Sequence, residues 1–308
     1  MKFFGLPIII AIAAGVIFPY TAISLLPYGF VFLFILMLLS GLTIDWPTVP
    51  HALRRPWPLL LGLFLCFIFF PLLQLLLARL LLADSQFIGG LLFGALMPPA
   101  MVAPFFTRLL KGDEELSFLL MVAATLVTPL AAPLLLKLGA GSLLQIETAP
   151  LMKSMLLMVT LPLLGGFLIA RYLPQVRKGF EPWLGVGNMA ALSILIFIMF
   201  GTAVGRLHLE FAAQAELSKL LALAFLQDFG VLLAARLLLP QLLEPREATA
   251  LLVTLAMKNV AIACGVLFFY DPRAALPPAL VFVAHACLFS LLPAADRWLL
   301  VKPTSEKS

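Results

Sequence analysis

The chain has 308 residues, of which 63% are hydrophobic and 11% are charged, and its mean hydropathy is +1.12. Soluble domains carry about 25% charged residues, so a soluble globular fold is excluded and most of the chain must face lipid. The formal net charge is +5, but the basic residues fall between apolar runs. There they set membrane topology, so we expect no nucleic-acid partner. The sequence therefore predicts an all-α polytopic membrane protein in a lipid bilayer.

Apolar runs of spanning length, broken by charges, Pro and Gly, predict about ten transmembrane helices. Their short connections leave no room for a separate soluble domain. The connection over 171–183, with Arg177 and Trp183, is interpreted as an interfacial anchor. The predicted spans are 4–22, 28–45, 56–82, 87–110, 114–139, 152–174, 187–206, 217–240, 246–270 and 277–299.

Basic residues are unevenly distributed between the two sides of this arrangement. The side rich in lysine and arginine is assigned to the cytoplasm, which places both termini there. We expect the protein in the inner (plasma) membrane of a bacterium. The basic residues of the cytoplasmic side are Lys2, Arg54, Arg55, Arg108, Lys111, Arg171, Arg177, Lys178, Arg236, Arg246, Arg297, Lys302 and Lys307.

The two halves of the chain, 1–145 and 146–308, each supply five of these spans. In each half a long third span precedes a fourth segment with an unusual interior. Because five is odd, the second half enters the membrane from the opposite face. The sequence therefore predicts an inverted repeat.

The fourth span contains three prolines, Pro98, Pro99 and Pro104, within seven consecutive residues, and such a run cannot stay in a regular helix. Freed backbone groups are tolerated at membrane depth only where they line a protein cavity. Paired interruptions in corresponding helices indicate a transport site near the midplane. A proline kink used only for packing is the alternative. We assign Pro98 and Met101 to the predicted site.

Lys258 lies at the centre of the ninth span, over 246–270. Either end of that span is about 18 Å away, too far for the lysine stem to carry its ammonium to water. A cation at this depth costs about 3 kcal/mol or more, so it should face a cavity or a partner. A functional role is predicted; a buried lysine that is only structurally paired is the alternative.

Two further ionisable residues lie inside apolar segments. Asp228 in the eighth span either pairs with Lys258 or faces a vestibule. His285 in the last span either joins a proton relay, binds substrate, or is a satisfied core histidine. The cysteines Cys66, Cys264 and Cys287 have no CxxC spacing and no histidine cluster beside them, so neither a metal site nor a cofactor is expected.

Three stretches carry a family resemblance. The stretch 98–117 resembles the fourth-helix signature of the bile acid:sodium symporter family: a Pro-Gly-Gly break, then Ser-Asn, a Thr, Gly-Asn/Asp and Leu-Ser. The stretch 256–263 resembles its ninth-helix signature, Glu-x-Gly-x-Gln-Asn. His285 resembles the tenth-helix His-Asn, and Pro71 in the third span also fits the family pattern. The fold that this implies has a panel of spans one, two, six and seven against a core of spans three, four, five, eight, nine and ten, in which the broken fourth and ninth helices cross.

The departures from the family pattern concern its sodium ligands. The resemblance implies two sodium ions held by oxygen atoms around the crossing, but sodium is a hard cation and most of the matching side chains supply no oxygen. A fixed ammonium beside such an ion adds repulsion, about 4 kcal/mol at 4 Å. Only Ser117 clearly remains. The replaced positions are Ala103 and Pro104 for Ser-Asn, Met121 for the Thr, Thr254 for the Glu, Lys258 for the Gln beside Asn259, and Cys66 for the third-helix Gln.

We therefore predict a secondary transporter of small organic anions that is sodium-independent and in which Lys258 occupies the place of the coupling cation. The predicted binding and coupling residues are Lys258, Asn259, Thr254, Ser117, Pro98, Met101, His285 and Asp228. A proton-coupled symporter, in which Lys258 loses its proton during the cycle, is one alternative. A non-transporting receptor or scaffold is another. A membrane enzyme is disfavoured because no His-Glu-x-x-His, paired aspartates or Ser-His arrangement is present.

Overall fold

The computed structural model describes residues 6–44, 56–141, 146–206, 213–271 and 273–291. Within these ranges the backbone is helical and contains no β-strand; a single bridge pairs Pro99 with Lys258. The all-α prediction is confirmed. The predicted cytoplasmic termini, and with them Lys2, Arg297, Lys302 and Lys307, lie outside the described residues.

The described residues of the first half form eight α-helices. A 3₁₀ turn joins the second to the third, and a π turn over Leu65–Phe69 joins the fourth to the fifth. The bounds are α1 Leu6–Ile17, α2 Pro19–Leu25, α3 Gly29–Leu42, α4 Pro56–Phe64, α5 Phe70–Leu81, α6 Ser85–Ala95, α7 Ala103–Leu109 and α8 Glu114–Ala140.

The described residues of the second half contain two more π turns, over Leu156–Thr160 and Leu226–Gly230. The bounds of its helices are α9 Thr148–Met155, α10 Leu161–Tyr172, α11 Pro174–Arg206, α12 Ala213–Phe225, α13 Val231–Leu238, α14 Pro245–Ala256, α15 Val260–Tyr270 and α16 Leu276–Leu291.

Six helical segments of the described chain are long and apolar enough to cross a bilayer. Their outer faces carry large exposed side chains, such as Leu72, Leu76 and Leu80 on successive turns of α5. Such a surface requires lipid as its solvent, so the chain is a polytopic membrane protein. The six segments are Pro19–Leu42, Pro56–Leu81, Glu114–Gly139, Thr148–Tyr172, Pro174–Gly205 and Glu216–Gln241.

Two predicted boundaries are wrong. The predicted span 4–22 ends early, because Pro19 has no N–H to continue α1 and begins the next helix instead. The predicted connection over 171–183 is largely helical, since α11 starts at Pro174 directly after α10. Its charged first turns, with Arg177 and Lys178, lowered the apolar signal without breaking the helix.

Helices α1, α2, α3, α10 and α11 form one packed group. Helix α11 runs along the first three, and α10 packs on α3. The backbones approach closely at paired glycines: a Cβ at Gly41 would collide with the main chain of α10 near Gly166, and one at Gly15 would meet the main chain of Gly201. Small residues of this kind allow tight helix contact in membranes.

The remaining helices surround a crossing of two interrupted helices. The backbone leaves the helix between α6 and α7, and again between α14 and α15. The two breaks satisfy one another: the N–H of Ala100 donates to the carbonyl of Met257 at 2.6 Å, and the N–H of Asn259 donates to that of Pro98 at 2.7 Å. Backbone groups freed at membrane depth are thereby paired inside the protein.

Candidate functional site

The ammonium of Lys258 is buried at the crossing, and the residue is 3% exposed. Its Nζ donates to the carbonyl of Cys66 at 3.1 Å and lies 3.0 Å from the Sγ of the same residue. Both partners belong to the π turn Leu65–Phe69 in the third predicted span. The charge is thus held against the core, away from lipid.

The sequence explains why the carbonyl of Cys66 is available. At the end of the π turn the N–H of Phe70 donates to Leu65, five residues back. The next donor in this register would come from Pro71, which has no N–H. The carbonyl of Cys66 therefore lacks that helical donor, and the ammonium of Lys258 takes its place.

A chain of three buried hydroxyls lies on the other side of the crossing. Thr107 donates to Ser117 at 3.1 Å, and Ser117 and Thr254 are 2.8 Å apart. The hydroxyl of Thr254 also donates to the carbonyl of Ala250 at 2.5 Å. Because a hydroxyl has one hydrogen, Ser117 must donate to Thr254. Each of the three hydroxyls thus donates a hydrogen bond, and the last one donates to the carbonyl of Ala250.

Asp228 is fully buried in the π turn Leu226–Gly230. Its Oδ2 lies 3.2 Å from the Nδ1 of His285, and that nitrogen is also 3.0 Å from the carbonyl of Val281. The imidazole additionally contacts the main chain of Lys258. Asp228 and His285 thus form a second buried polar pair, directly behind the crossing.

A cavity of about 470 Å³ lies between the packed group of α1, α3 and α11 and the crossing. Its lining is mostly apolar, with Met101, Asn259 and His285 on the core side. On the other side Ser40 donates to Asn188 at 3.3 Å. This combination of an apolar wall and a few converging polar groups suits a small amphipathic molecule.

Among the residues that line the cavity, the exposed ones lie toward one end. Exposed Thr43 and Gly185 lie at its rim. Toward the opposite end, α3 packs on α15: Leu33 contacts Gly265 so closely that a Cβ there would lie 2.7 Å from its Cδ2. Tyr270 also donates to the carbonyl of Pro150 at 2.8 Å.

The structure distributes the predicted site residues around the crossing. The carbonyl of Pro98 pairs the two breaks, while Met101, Asn259 and His285 line the cavity. Ser117 and Thr254 belong to the hydroxyl chain. Lys258 contacts Cys66, and no ion pair joins it to Asp228 among the described residues. Of the two alternatives for Asp228, neither a lysine pair nor an open vestibule describes its position.

Sequence reasoning missed two partners. Cys66 is predicted only as the residue in place of the third-helix Gln, yet its main chain and thiol hold Lys258. Pro71, five residues later, was the signal for a free carbonyl. Thr107 was not singled out as a site residue, although it begins the hydroxyl chain. Within the described ranges, no three His, Cys, Asp or Glu side chains come together as a metal site would require.

Residues 30–210 match the Sodium Bile acid symporter family. The chain belongs to this family. The family consists of membrane transporters, so the predictions of a transporter and of a non-enzyme are confirmed.

Curated relatives span nearly the whole chain. It is 25% identical over 294 residues to YocS of Bacillus subtilis, named as an uncharacterized sodium-dependent transporter, covering 94% of this chain and 89% of the relative. It is 24% identical over 278 residues to the Bacillus subtilis protein YbaS, with 87% and 88% covered. It is 26% identical over 266 residues to the probable sodium/metabolite cotransporter BASS1 of Arabidopsis thaliana, with 84% and 64% covered.

Proposed function

We propose that this family member is a secondary transporter of small organic anions that works by alternating access without sodium. One observation carries the proposal. The resemblance assigns Cys66 and Lys258 to positions of sodium ligands, and here these two residues contact each other through the lysine ammonium. A positive charge built into the chain stands where the coupling cation would be held.

The other residues at positions of sodium ligands support the same proposal. Ala103 and Met121 are buried and carry no oxygen in their side chains. Ser117 and Thr254 retain hydroxyl oxygens, but both are already engaged in the hydroxyl chain. A hard cation needs several oxygen ligands at once, and these positions supply few that are uncommitted.

Several relatives are named as sodium-dependent or sodium/metabolite transporters. Their coupling ion does not transfer to this chain by similarity, because identity is only about a quarter and the ligand positions are the ones that differ. A lysine ammonium about 4 Å from a sodium ion would add repulsion of about 4 kcal/mol. The two charges exclude one another.

An anion fits the cavity better than a cation or a neutral molecule. Asn259 is 7% exposed, lines the cavity and caps α15, and its side-chain amide makes no hydrogen bond to any described residue. The N-terminus of an interrupted helix attracts negative charge. The amide of Asn259 and the imidazole of His285 offer donors beside it. Met101, Met189 and Leu192 complete the wall for an apolar substituent.

The finer architecture of the proposal is a ten-span inverted repeat of 1–145 and 146–308. The packed group of α1, α2, α3, α10 and α11 is the panel, and the helices around the crossing are the core. The cavity rim at Thr43 and Gly185 lies at the predicted cytoplasmic end, so this conformation is inward-facing. The proposed location is a bacterial inner membrane with both termini in the cytoplasm.

Sodium replacement tests this proposal. Purified protein is screened for thermal stabilisation by small carboxylates and sulfonates, and flux is measured in proteoliposomes with benzenesulfonate. A ligand at 100 times its Kd raises the free energy of unfolding by about 2.7 kcal/mol.

Potassium in place of sodium should leave both melting and uptake unchanged. Sodium-specific stabilisation, or uptake lost in potassium, would contradict sodium independence; the absence of any anion flux would favour a receptor.

A further inference from the structure

Asp228, the partner of His285, has no role in the function proposed above. Asp228 is 0% exposed, and its two oxygens accept no hydrogen bond from any described residue. Its partner within ion-pair distance is His285. Burying a carboxylate with a single imidazole beside it costs folding free energy. Ionisable residues at membrane depth are usually functional.

Both atoms that face the Nδ1 of His285 are acceptors: the carboxylate of Asp228 and the carbonyl of Val281. The other face of the ring reaches the cavity, and the imidazole contacts the main chain of Lys258. The pair can therefore bind a proton that arrives from the cavity. It also touches the crossing of the two broken helices.

Other titratable groups near the pair lie mostly at helix ends. The π turn of Asp228 packs against α12, α13, α14 and α16, and α16 also contacts α1, α6, α11 and α15. No second charged side chain of the described residues forms an ion pair with Asp228. The titratable residues of the flanking elements are Glu216, Lys219, Arg236, Arg246, Glu247, Lys258, Cys264, Tyr270, Cys287, Arg177, Lys178, Glu181 and Arg206.

The charges at the centre give a simple count. Lys258 contributes +1 and Asp228 contributes −1, so the empty core with neutral His285 has no net charge. One bound anion makes it −1, one bound proton makes it +1, and both together restore zero. A net charge buried at membrane depth is costly. Only the empty core and the core that holds both ligands can therefore alternate readily between the two sides of the membrane.

We propose that the Asp228–His285 pair is the binding site of a proton that is transported together with the anion. The inference rests on the proposed function for its second ligand. The proton passes from water to the pair on one side and from the pair to water on the other, and no other bond changes. Lys258 stays charged throughout, in contrast to a cycle in which the lysine itself releases the proton.

Proton binding can be tested without any substrate. The chain has three histidines, so protein labelled with ¹⁵N-histidine gives few NMR signals, and His285→Gln identifies the signal of interest. We expect the His285 signal to shift with pH in the wild type, to lose that shift in Asp228→Asn, and to keep it in Glu216→Gln. The latter removes a carboxylate at the start of the helical segment Glu216–Gln241, which also contains Asp228. A His285 signal that is constant in the wild type would overturn the proposal.

Flux provides the second test. Benzenesulfonate keeps its charge at all working pH values, so it does not cross lipid as a neutral acid. In sodium-free proteoliposomes we expect accumulation of about tenfold per pH unit for one proton per anion, with no response to an imposed membrane potential. Asp228→Asn should lose this accumulation but retain counterflow of labelled anion, and Glu216→Gln should behave as wild type.

The outcomes separate the two proposals. Sodium-free uptake that only equilibrates under a pH gradient would overturn proton coupling and leave the proposed function intact. Sodium-dependent uptake would overturn the proposed function, whereas the NMR titration would still report on the proton site. If Asp228→Asn neither transports nor melts cooperatively, the wild-type titration alone decides. Accumulation by a folded Asp228→Asn variant at the wild-type level would also refute the proposal.

Discussion

Two π turns of the core present polar groups to the same centre, but they hold different kinds of charge. The turn Leu65–Phe69 offers a carbonyl and a thiol, and it holds the ammonium of Lys258. The turn Leu226–Gly230 offers the carboxylate of Asp228, and it holds the imidazole of His285. The first pair suits a permanent cation, whereas the second suits a proton that comes and goes.

The difference has a backbone cause. Helices open at π turns, which are frequent at functional sites. After the first turn, Pro71 withholds an N–H and leaves a main-chain acceptor that cannot change its charge. The second turn is followed by Val231, whose N–H donates to the carbonyl of Asp228. In this turn the ionisable side chain of Asp228, and not its carbonyl, faces His285.

Removing the permanent cation should have the largest effect. In Lys258→Gln we expect uptake to fall at least about 100-fold, because breaking a buried charge arrangement typically costs 3–5 kcal/mol and leaves Asp228 uncompensated. The measurement is sodium-free uptake in proteoliposomes. Lys258→Arg should not rescue it, since the guanidinium is larger and forked.

The exposed lysine Lys153 on α9 provides the matched control, and Lys153→Gln should transport like the wild type. Normal transport by Lys258→Gln would mean that the buried lysine is merely tolerated. The first turn would then hold a structural residue, and the contrast with Asp228 would disappear.

Changing the backbone acceptor should have the next largest effect. Pro71→Ala restores a backbone N–H that can donate to the carbonyl of Cys66. Lys258 must then compete with this N–H for the carbonyl. A hydrogen bond to a charged group contributes about 1.5–3 kcal/mol, and we expect uptake to fall about tenfold or more. Melting temperature is measured in parallel to exclude unfolding.

The sixth predicted span supplies the control for this backbone change. There Pro162 follows the π turn Leu156–Thr160 in the same way, after Leu161 has donated to Leu156. No described ammonium contacts that turn. Pro162→Ala should therefore leave uptake within about twofold of the wild type. Equal losses in both variants would point to helix shape and not to the held charge.

The hydroxyl chain should affect stability more than coupling. Thr254→Val leaves Ser117 without its acceptor, which costs about 1–3 kcal/mol in the free energy of unfolding. Thr249→Val on the same helix removes only a local bond to Pro245 and should cost less. Both variants should keep the same uptake in sodium and in potassium. Sodium-dependent behaviour of Thr254→Val alone would reveal an ion at that position.

The thiol of Cys66 should matter least. Cys66→Ser keeps the main-chain carbonyl and offers a hydroxyl to Lys258, so we expect uptake within about twofold of the wild type. The assay is again sodium-free flux. A loss as deep as that of Lys258→Gln would show that the side chain, and not the carbonyl, holds the cation.

Local chemistry made much of the molecule predictable. Composition gave the class, and apolar runs located the helices, because a bilayer leaves the backbone few alternatives. Pro98, Pro99 and Pro104 indicated the break after α6. The predicted boundaries at Pro19 and Pro174 failed where a helix starts at a proline or continues through charged residues, since hydropathy does not register either event.

The sequence by itself determined that a cation and a carboxylate lie at membrane depth, and that the family's sodium-ligand oxygens are largely absent. It did not determine which charge meets which. Lys258 contacts Cys66, 192 residues away in the chain, and Asp228 faces His285 instead of the lysine. These pairings depend on how the helices cross and on which way each π turn is rotated. No single segment encodes such contacts, because they arise only when the interrupted helices satisfy each other's backbone.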